Sequence, residues 1–286
     1  MARRTEPAAS PTITDALGRP FRVGRPPERI VSLVPSLSEA LFAFGLGDHV
    51  AGVTRFCVEP KEGVAGTAKV GGTKTLDVAA VEALRPDLII ASAEENREED
   101  VRRLIDAGWP VFVTLPMSVR GAIDLLGQIA ALTDSAEAAQ PVIRGAEEAL
   151  AAAQAAKAGR EPVRVFCPIW RNPYMTIGPD TYMHDVIAAC GGRNIFEGRP
   201  GRYPKVELAE MAALDPEVVL LPSEPYRFRE RHLADFEAFP QLAAVRRGSV
   251  MLVDGRMLSW YGPRIGRSLR ELTVLLEGAR EKQRGG

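Results

Sequence analysis

The stretch RIVSLVPSLSEALFAFGLG, residues 29–47, decides the fold class. Its first part is a β-branched and leucine run of the length typical of a buried strand, and its second part places apolar residues on one face of a helix. Ser36 or Ser38 is predicted to cap that helix, with Glu39 in its first turn, and two glycines are predicted to end it. The stretch therefore predicts one strand followed directly by one helix.

The same alternation of strand and helix continues on both sides of one long alanine- and glutamate-rich helical segment. Such alternation is typical of parallel sheets with helices on their faces. We therefore predict an α/β fold with two Rossmann-like lobes, each with a parallel central sheet, joined by one long backbone helix. The predicted parts are an extended lead-in at 1–28 with a hairpin around Gly18, an N-terminal α/β lobe at 29–133, the connecting helix at 134–159 and a C-terminal α/β lobe at 160–286.

The two halves of the chain also contain an internal repeat. LDVAAVEALRPDLIIASAE at 76–94 aligns with VELAEMAALDPEVVLLPSE at 206–224, so that Leu84 matches Leu214 and Glu94 matches Glu224. A repeated helix–loop–strand unit of this kind predicts two lobes of similar design.

Composition excludes several classes of protein. The net charge of −1 and the pI near 6.4 give no field suited to nucleic acid or to an anionic membrane. Three cysteines without CxxC spacing indicate free thiols. No apolar run approaches the ~18 residues of a membrane span, and the N-terminus has no signal-peptide core. We expect a monomer without membrane insertion, cytoplasmic as the sequence is written, or periplasmic if the true start lies elsewhere.

Four motifs in fixed order resemble one family. PERIVSLVPSLSEALFAFGLGDHVAGV, ALRPDLIIAS, CGGRNIF and LDPEVVLLPS, placed around the long helix, resemble the substrate-binding proteins of cobalamin, haem and iron-siderophore ABC importers, the class with a helical backbone. The vitamin B12-binding members look most similar. The resemblance implies a corrinoid, haem or ferric siderophore held in an interlobe cleft with modest closure, an ABC permease as partner, no intrinsic cofactor and no catalysis.

The same resemblance implies roles for individual residues. Phe56 and Tyr203 stand where a cobalamin binder carries cleft aromatics, whereas Thr73 and Lys74 stand where it carries a tryptophan. A second expected tryptophan is replaced at Ala91 and Ser92. These replacements weaken the case for cobalamin, because a corrin ring is held largely by flat aromatic faces.

The docking glutamates of the family fall near Ala79 and Ala209 in this register. Glu82 and Glu210 lie within one turn and are the residues that would take over docking to a permease.

Loops that follow the carboxyl ends of strands carry the ligand contacts of open α/β sheets. Here these loops combine flat aromatic rings with cations that suit carboxylates or phosphates, so an anionic, partly planar small molecule fits them best. The glutamates in the set either face cationic groups of the ligand, bind a hard metal or neutralise the arginines. The predicted ligand-binding residues are Arg55, Phe56, Cys57, Thr73, Lys74, Glu94, Glu95, Trp170, Arg171, Tyr203, Glu224, Trp260, Tyr261 and Arg264. Neighbours in the same loops are Gly72, Asn96, Asn172, Tyr174, Pro225, Tyr226 and Ser259.

Cys57 keeps three interpretations: part of a pocket wall, a metal or axial ligand, or a nucleophile. Cys57 and His184 are the candidate metal ligands, although the three histidines show no metal-binding spacing. No GxSxG, P-loop or GxGxxG motif is present, so we predict a binding protein and not an enzyme. The alternative function is a cytoplasmic chaperone or sensor that holds a metal or cofactor without a transporter. A Cys57-dependent enzyme ranks after both.

Overall fold

The computed structural model describes residues 12–22 and 24–284, and the chain divides into two compact units. Unit 1 comprises Met1–Leu115 and Asp124–Ile143, and unit 2 comprises Pro116–Ile123 and Arg144–Gly286. The part of the predicted lead-in before residue 12 lies outside the described residues.

Unit 1 is built on a five-stranded parallel sheet. Its strands are β1 Ile13–Thr14, β2 Pro20–Phe21, β3 Ile30–Ser32, β4 Val50–Val53, β5 Ala68–Lys69, β6 Gly71–Gly72, β7 Thr75–Leu76, β8 Leu88–Ser92 and β9 Val111–Thr114. Its helices are α1 Pro35–Ala43, a 3₁₀ turn Gly47–His49, α2 Lys61–Ala65, α3 Val78–Ala83 and α4 Glu98–Asp106. The main sheet has the order β5-β4-β3-β8-β9, with all four pairings parallel. Its core includes Leu33, Ile89 and Val113.

The hairpin predicted around Gly18 is confirmed, and it covers one edge of this sheet. β1 and β2 pair in antiparallel fashion, and Gly18 turns the chain with a φ of 75°. The Ala16 N–H donates to the Val113 carbonyl at 2.8 Å, and the Arg19 guanidinium donates to the Val111 carbonyl at 2.8 Å. β9 is therefore paired with β8 on one side and covered by the hairpin on the other.

The chain passes between the units at Leu115–Pro116, just after β9, and at two further positions that lie within helices. These helices are α5 Val119–Leu132 and α6 Ala136–Lys157. α6 has 22 residues, about 33 Å of helix, and falls within the predicted range 134–159. None of the helices in the described part of the chain is long and apolar enough to cross a membrane.

Unit 2 is built on a four-stranded parallel sheet of the order β13-β10-β14-β15. Its strands are β10 Val163–Phe166, β11 Pro168–Trp170, β12 Met175–Thr176, β13 Gly192–Asn194, β14 Val218–Pro222 and β15 Val250–Val253. Its helices are α7 Tyr182–Ala189, α8 Leu208–Ala213, a 3₁₀ turn Glu230–His232, α9 Ala234–Glu237, α10 Ala243–Arg246, α11 Arg256–Ser259 and α12 Ile265–Arg284. The predicted α/β class with two parallel-sheet lobes and a long helix is confirmed.

The internal repeat is confirmed residue by residue. α3 and α8, and then β8 and β14, occupy positions that match under the alignment of 76–94 with 206–224. The residue after each helix cap adopts a left-handed backbone, with φ of 46° at Arg85 and 43° at Asp215. Both are unusual for residues with a side chain. The same turn geometry has therefore been kept in both units.

A carboxylate ties each repeat to a neighbouring segment of its unit, the start of β3 in unit 1 and β10 in unit 2. Asp87 accepts the backbone N–H of Arg29 at 2.8 Å, and Glu217 accepts the backbone N–H of Arg164 at 2.9 Å. The guanidinium of Arg29 then caps the Leu84 carbonyl at the end of α3. The bond to Leu84 satisfies a carbonyl that the end of a helix leaves without an intrahelical partner.

The predicted serine cap of α1 is wrong. The helix begins after Val34 with Pro35 in its first turn, and no side chain bonds to its first N–H groups. Proline suits that position because its fixed φ is helical and it lacks an N–H that would need a partner. Ser38 is free for another use: its hydroxyl donates to the Val34 carbonyl at 3.0 Å and lies 2.8 Å from the Ser32 hydroxyl.

Candidate functional site

The strand orders define one point in each unit where ligands of α/β proteins bind. In unit 1 the connections leave in opposite directions from β3 and β8, and in unit 2 they do so from β10 and β14. Crevices beyond the carboxyl ends of such strand pairs are the usual ligand positions. We call these the switch point of unit 1 and the switch point of unit 2.

The switch point of unit 1 is closed by Asn96. This side chain is 3% exposed; its Oδ1 accepts the Ser92 N–H at 2.8 Å, and its Nδ2 donates to the carbonyls of Leu33 at 3.2 Å and Thr73 at 3.3 Å. Asn96 therefore holds the ends of β3 and β8 and the β6–β7 turn together. The sequence placed Asn96 among the ligand-contacting loop residues, but in the structure it connects backbone segments.

Lys74 is bonded to the same loop. Its ammonium donates to the Glu94 carbonyl at 2.7 Å and to the Asn96 carbonyl at 3.3 Å. The backbone N–H groups of Glu94 and Glu95 both donate to the Ser92 hydroxyl at 3.2 Å, and both side chains are half-buried. The predicted residues of this loop thus lie together around an ordered turn at the carboxyl end of β8.

The turn after β4 presents an aromatic ring and a cation to solvent. Phe56 is 49% exposed, and the Arg55 guanidinium lies 5.2 Å from its ring centroid. Arg55 also donates to the Thr75 hydroxyl at 3.2 Å. Gly71 and Gly72 form the neighbouring hairpin strand, where a Cβ on Gly71 would lie 2.5 Å from the Thr75 carbonyl oxygen. Turn geometry alone accounts for that glycine.

Cys57 is a buried thiol within a hydroxyl cluster. It is 1% exposed; the Ser38 hydroxyl oxygen lies 3.0 Å and the Thr54 hydroxyl oxygen 3.2 Å from its Sγ. Burial raises the pKa of the Cys57 thiol. A nucleophilic cysteine needs a lowered pKa, so this environment opposes that interpretation and favours a wall residue.

The other predicted metal ligand lies in the other unit. His184 is in the first turn of α7, with its backbone N–H 3.3 Å from the Thr181 hydroxyl and its Nδ1 buried without a hydrogen-bond partner. Over the described residues, no group of three or more histidine, cysteine or acidic side chains is arranged to hold a metal ion. The two remaining cysteines are buried, and burial raises the pKa of Cys190 to about 11 and that of Cys167 to about 12.

The switch point of unit 2 is aromatic. Trp170 ends β11 and is 46% exposed, and its ring meets Tyr226 edge-on at a centroid distance of 5.5 Å. Tyr226 in turn lies 4.8 Å from Phe228 and 5.6 Å from His232. We call these four residues the aromatic cluster. Its outer member, Trp170, keeps nearly half of its surface available to a planar ligand.

A charged network fixes the hairpin that carries Trp170. Arg171 donates to both carboxylate oxygens of Asp235, at 2.6 and 3.0 Å, and the Tyr174 hydroxyl donates to the same carboxylate at 2.5 Å. The guanidinium of Arg171 holds the pKa of Asp235 below its ordinary value. Arg171 was predicted to contact an anionic ligand, yet two of its N–H donors are directed at Asp235.

The remaining predicted aromatics of unit 2 are largely enclosed. Trp260 is 7% exposed, with the guanidiniums of Arg264 at 5.3 Å and Arg256 at 5.9 Å from its ring centroid. Tyr261 is 4% exposed and packs edge-on against Tyr182. The Trp260 and Tyr261 side chains therefore contribute to packing, and the guanidiniums of Arg256 and Arg264 lie near the Trp260 indole.

Glu224 and Tyr203 complete the predicted set. Glu224 is half-buried and accepts a hydrogen bond from the Ser259 hydroxyl at 2.7 Å. The Tyr203 ring is half-buried, with the Arg202 guanidinium 5.9 Å from its centroid. Phe56 and Trp170 are therefore the predicted aromatic residues with the most open surface, one in each unit.

The predicted docking glutamates occupy positions that do not match in the repeat. Glu82 is the fifth residue of α3, and its carboxylate lies 3.4 Å from the Trp109 indole nitrogen. Glu210 is the third residue of α8, where it pairs with Arg199 at 2.8 Å and accepts the Glu207 N–H. Ala79 and Ala209 are the residues that match between the two helices.

Sequence reasoning did not identify Asp235, His232 and Phe228 as parts of the site. Asp235 lies 64 residues from Arg171 along the chain, so no local pattern connects them. Phe228 and His232 follow Tyr226 at intervals of two and four residues, and that aromatic spacing was the available signal.

Comparison with known proteins places the chain among binding proteins. The sequence pattern of the family described as periplasmic binding protein matches residues 30–257. A vitamin B12-binding protein of Vibrio parahaemolyticus serotype O3:K6 is 26% identical over 263 residues, covering 90% of this chain and 92% of the relative.

Two solved structures show the same fold. The periplasmic vitamin B12-binding protein BtuF of Vibrio cholerae matches with a TM-score of 0.78 and 24% identity, covering 89% of this chain and 98% of its own. The periplasmic haem-binding protein RhuT of Roseiflexus sp. RS-1 matches with a TM-score of 0.77 and 24% identity, covering 88% and 98%.

Proposed function

We propose a function that starts from one fact: this chain belongs to the periplasmic binding protein family. The proposed function is binding of a flat, ring-bearing small molecule of the corrinoid, haem or ferric-siderophore type. The observation that carries the proposal is the exposed Trp170 of the aromatic cluster at the switch point of unit 2. The names of the similar proteins, which bind vitamin B12 or haem, support the same class of ligand.

The chemistry of the predicted set suits such a ligand. An aromatic face binds a planar macrocycle by dispersion and apolar burial, and Trp170 offers that face in unit 2 as Phe56 does in unit 1. Arg55, Lys74 and Arg264 supply cations for carboxylate side groups. The placement of the ligand between the lobes rests on the family resemblance and stays a prediction.

The proposed activity is binding without catalysis. The raised pKa of Cys57 supports this, because the thiol is held in its unreactive protonated form at neutral pH. An ABC permease is the proposed partner, and a periplasmic location follows for this chain if it works with one, as the family description suggests. Docking through Glu82 and Glu210 stays a prediction.

One observation favours the second candidate function, a cofactor-holding protein that works without a transporter. The matching positions of α3 and α8 carry Ala79 and Ala209, where the family resemblance implies docking glutamates. Cell fractionation with N-terminal sequencing of the mature protein separates the two functions. A mature chain in the cytoplasm supports the second, and a processed chain in the periplasm supports the first.

Visible absorbance titrations with cyanocobalamin, haemin and a ferric siderophore test the binding function. We expect saturable binding of one of them, weakened about tenfold or more in Trp170→Ala, because that side chain supplies the open aromatic face. Cys167→Ala is the matched control, since Cys167 is 1% exposed and offers almost no surface to a ligand, and it should bind as the unaltered protein does. If no ligand of the three classes binds, the proposal is wrong.

A further inference from the structure

A concavity of unit 1 lies beside the turn that follows β4, and most of its lining is outside the predicted ligand set. Its volume is about 420 Å³. Three cations from three separate segments line it: Arg55 from the turn, Lys61 from the start of α2 and Lys69 from β5. Glu59 is the acidic residue of the lining.

Two of these cations are held in place by hydrogen bonds that use only some of their N–H donors. The Lys69 ammonium donates to the Val64 carbonyl at 2.8 Å, which uses one of its three N–H groups. Arg55 is fixed against the Phe56 ring and donates one N–H to the Thr75 hydroxyl. Both groups are thus already ordered, so a ligand that meets them loses less free energy in immobilising them.

Part of the lining of the concavity is apolar. It includes Val64 and Ala65 of α2, the buried thiol of Cys57, and Val58, which is 51% exposed although it is a large apolar side chain. The volume falls within the range of about 300–1,000 Å³ that is usual for small-molecule sites. A lining with both cations and apolar side chains is suited to a molecule that has both acidic groups and an apolar body.

Charge also favours an anion. The whole chain has a net charge of −1, whereas the lining has three cationic residues and one acidic residue. A local excess of two positive charges attracts a ligand with two acidic groups more strongly than one with a single group.

We propose that this concavity is a second binding site, for a small organic dianion such as a dicarboxylate with an apolar body. This proposal does not rest on the function proposed above, because it is tested without cyanocobalamin, haemin or siderophore. The two sites share Arg55 and Cys57 of the predicted ligand set.

The test is an NMR titration of the isotopically labelled full chain with phthalate, following the backbone amides of residues 55–69. Benzyl alcohol serves as the neutral ring control, and inorganic phosphate serves as the anion without an apolar body. We expect saturable shifts with phthalate in this segment, weaker shifts with phosphate and none with benzyl alcohol.

Two variants locate the site. Lys61→Glu should weaken phthalate binding roughly tenfold, because it reverses a lining charge. Arg270→Glu makes the same change of charge on an exposed helical position of unit 2 and should leave binding unchanged. Val58→Ser, which removes an apolar side chain of the lining, should weaken binding of phthalate but not that of phosphate.

Three outcomes would overturn the proposal. These are the absence of saturable shifts, equal shifts with phosphate and phthalate, or equal weakening in Lys61→Glu and Arg270→Glu. The last two would show that only the general electrostatic field attracts the anion. Binding of phthalate together with failure of all three absorbance titrations would leave this site standing and remove the proposed function.

Discussion

One position of the internal repeat carries different residues in the two units, and the two side chains make different contacts at their switch points. Asn96 is the fourth residue after β8 and Tyr226 the fourth after β14, and they match when the offset of the repeat alignment is continued. Asn96 bonds three backbone groups and closes its switch point, whereas Tyr226 supports the exposed Trp170. The same scaffold therefore presents a polar, self-satisfied edge in unit 1 and an open aromatic edge in unit 2.

The largest expected effect comes from breaking the closed edge. Asn96→Ala leaves the N–H of Ser92 and the carbonyls of Leu33 and Thr73 without these partners in a buried place, and should lower the free energy of unfolding by about 3 kcal/mol. Urea unfolding followed by circular dichroism measures it. Tyr226→Phe, at the matching position, should stay within about 0.5 kcal/mol. Equal losses in both variants would contradict the comparison.

A smaller effect is expected from the network behind the open edge. Asp235→Asn should lower the free energy of unfolding by about 1–2 kcal/mol at pH 7, because it removes the charge that pairs with Arg171. Asp180→Asn, in a more exposed ion pair with Arg202, should change it by less than about 0.5 kcal/mol.

The pH dependence gives a second readout for Asp235. Its folded-state pKa lies below the ordinary value, first because Arg171 donates hydrogen bonds to the carboxylate. The stabilisation is therefore fully present above the unfolded-state pKa of about 4 and is lost as the pH falls through the folded-state value. The difference in free energy of unfolding between the unaltered protein and Asp235→Asn should therefore shrink as the pH falls below 5. Urea unfolding at each pH measures it, and a difference that stays constant would contradict this assignment.

The smallest effect tests the helix starts of the repeat. The Asp77 side chain caps α3 by accepting the Ala80 N–H at 3.0 Å, so Asp77→Ala should cost about 1 kcal/mol. At the matching position of α8, the bond between the Glu207 N–H and the Glu210 carboxylate survives in Glu207→Ala, which should therefore cost less. Thermal unfolding of the two variants checks the order, and a larger loss in Glu207→Ala would reverse it.

Sequence reasoning succeeded where the signal was local and periodic. The strand-to-helix stretch at 29–47, the turn at Gly18, the long helix and the repeat all depend on spacing within a few residues or on direct self-similarity, and each is present in the structure. The rule that ligand contacts lie on loops beyond the carboxyl ends of strands also selected Trp170, which the structure places at the switch point of unit 2; its contact with a ligand stays a prediction.

The parts that sequence reasoning could not reach depend on contacts between distant segments. Whether a loop residue faces solvent or bonds to backbone is set by which strands are neighbours, as Asn96 shows by bonding Leu33. Trp260 is 7% exposed and has the guanidiniums of Arg256 and Arg264 near its ring, and residue type alone does not distinguish such a tryptophan from the exposed Trp170.

The hairpin of β1 and β2 has a practical consequence for handling the protein. The outermost strand of a sheet offers unpaired backbone groups to strands of other molecules, and the hairpin occupies the carbonyls of Val111 and Val113 on β9. An insertion or bulky label within residues 13–21 would detach this cover and favour self-association through β9. Labels and immobilisation chemistry are therefore better placed at exposed positions of unit 2 than in the N-terminal hairpin.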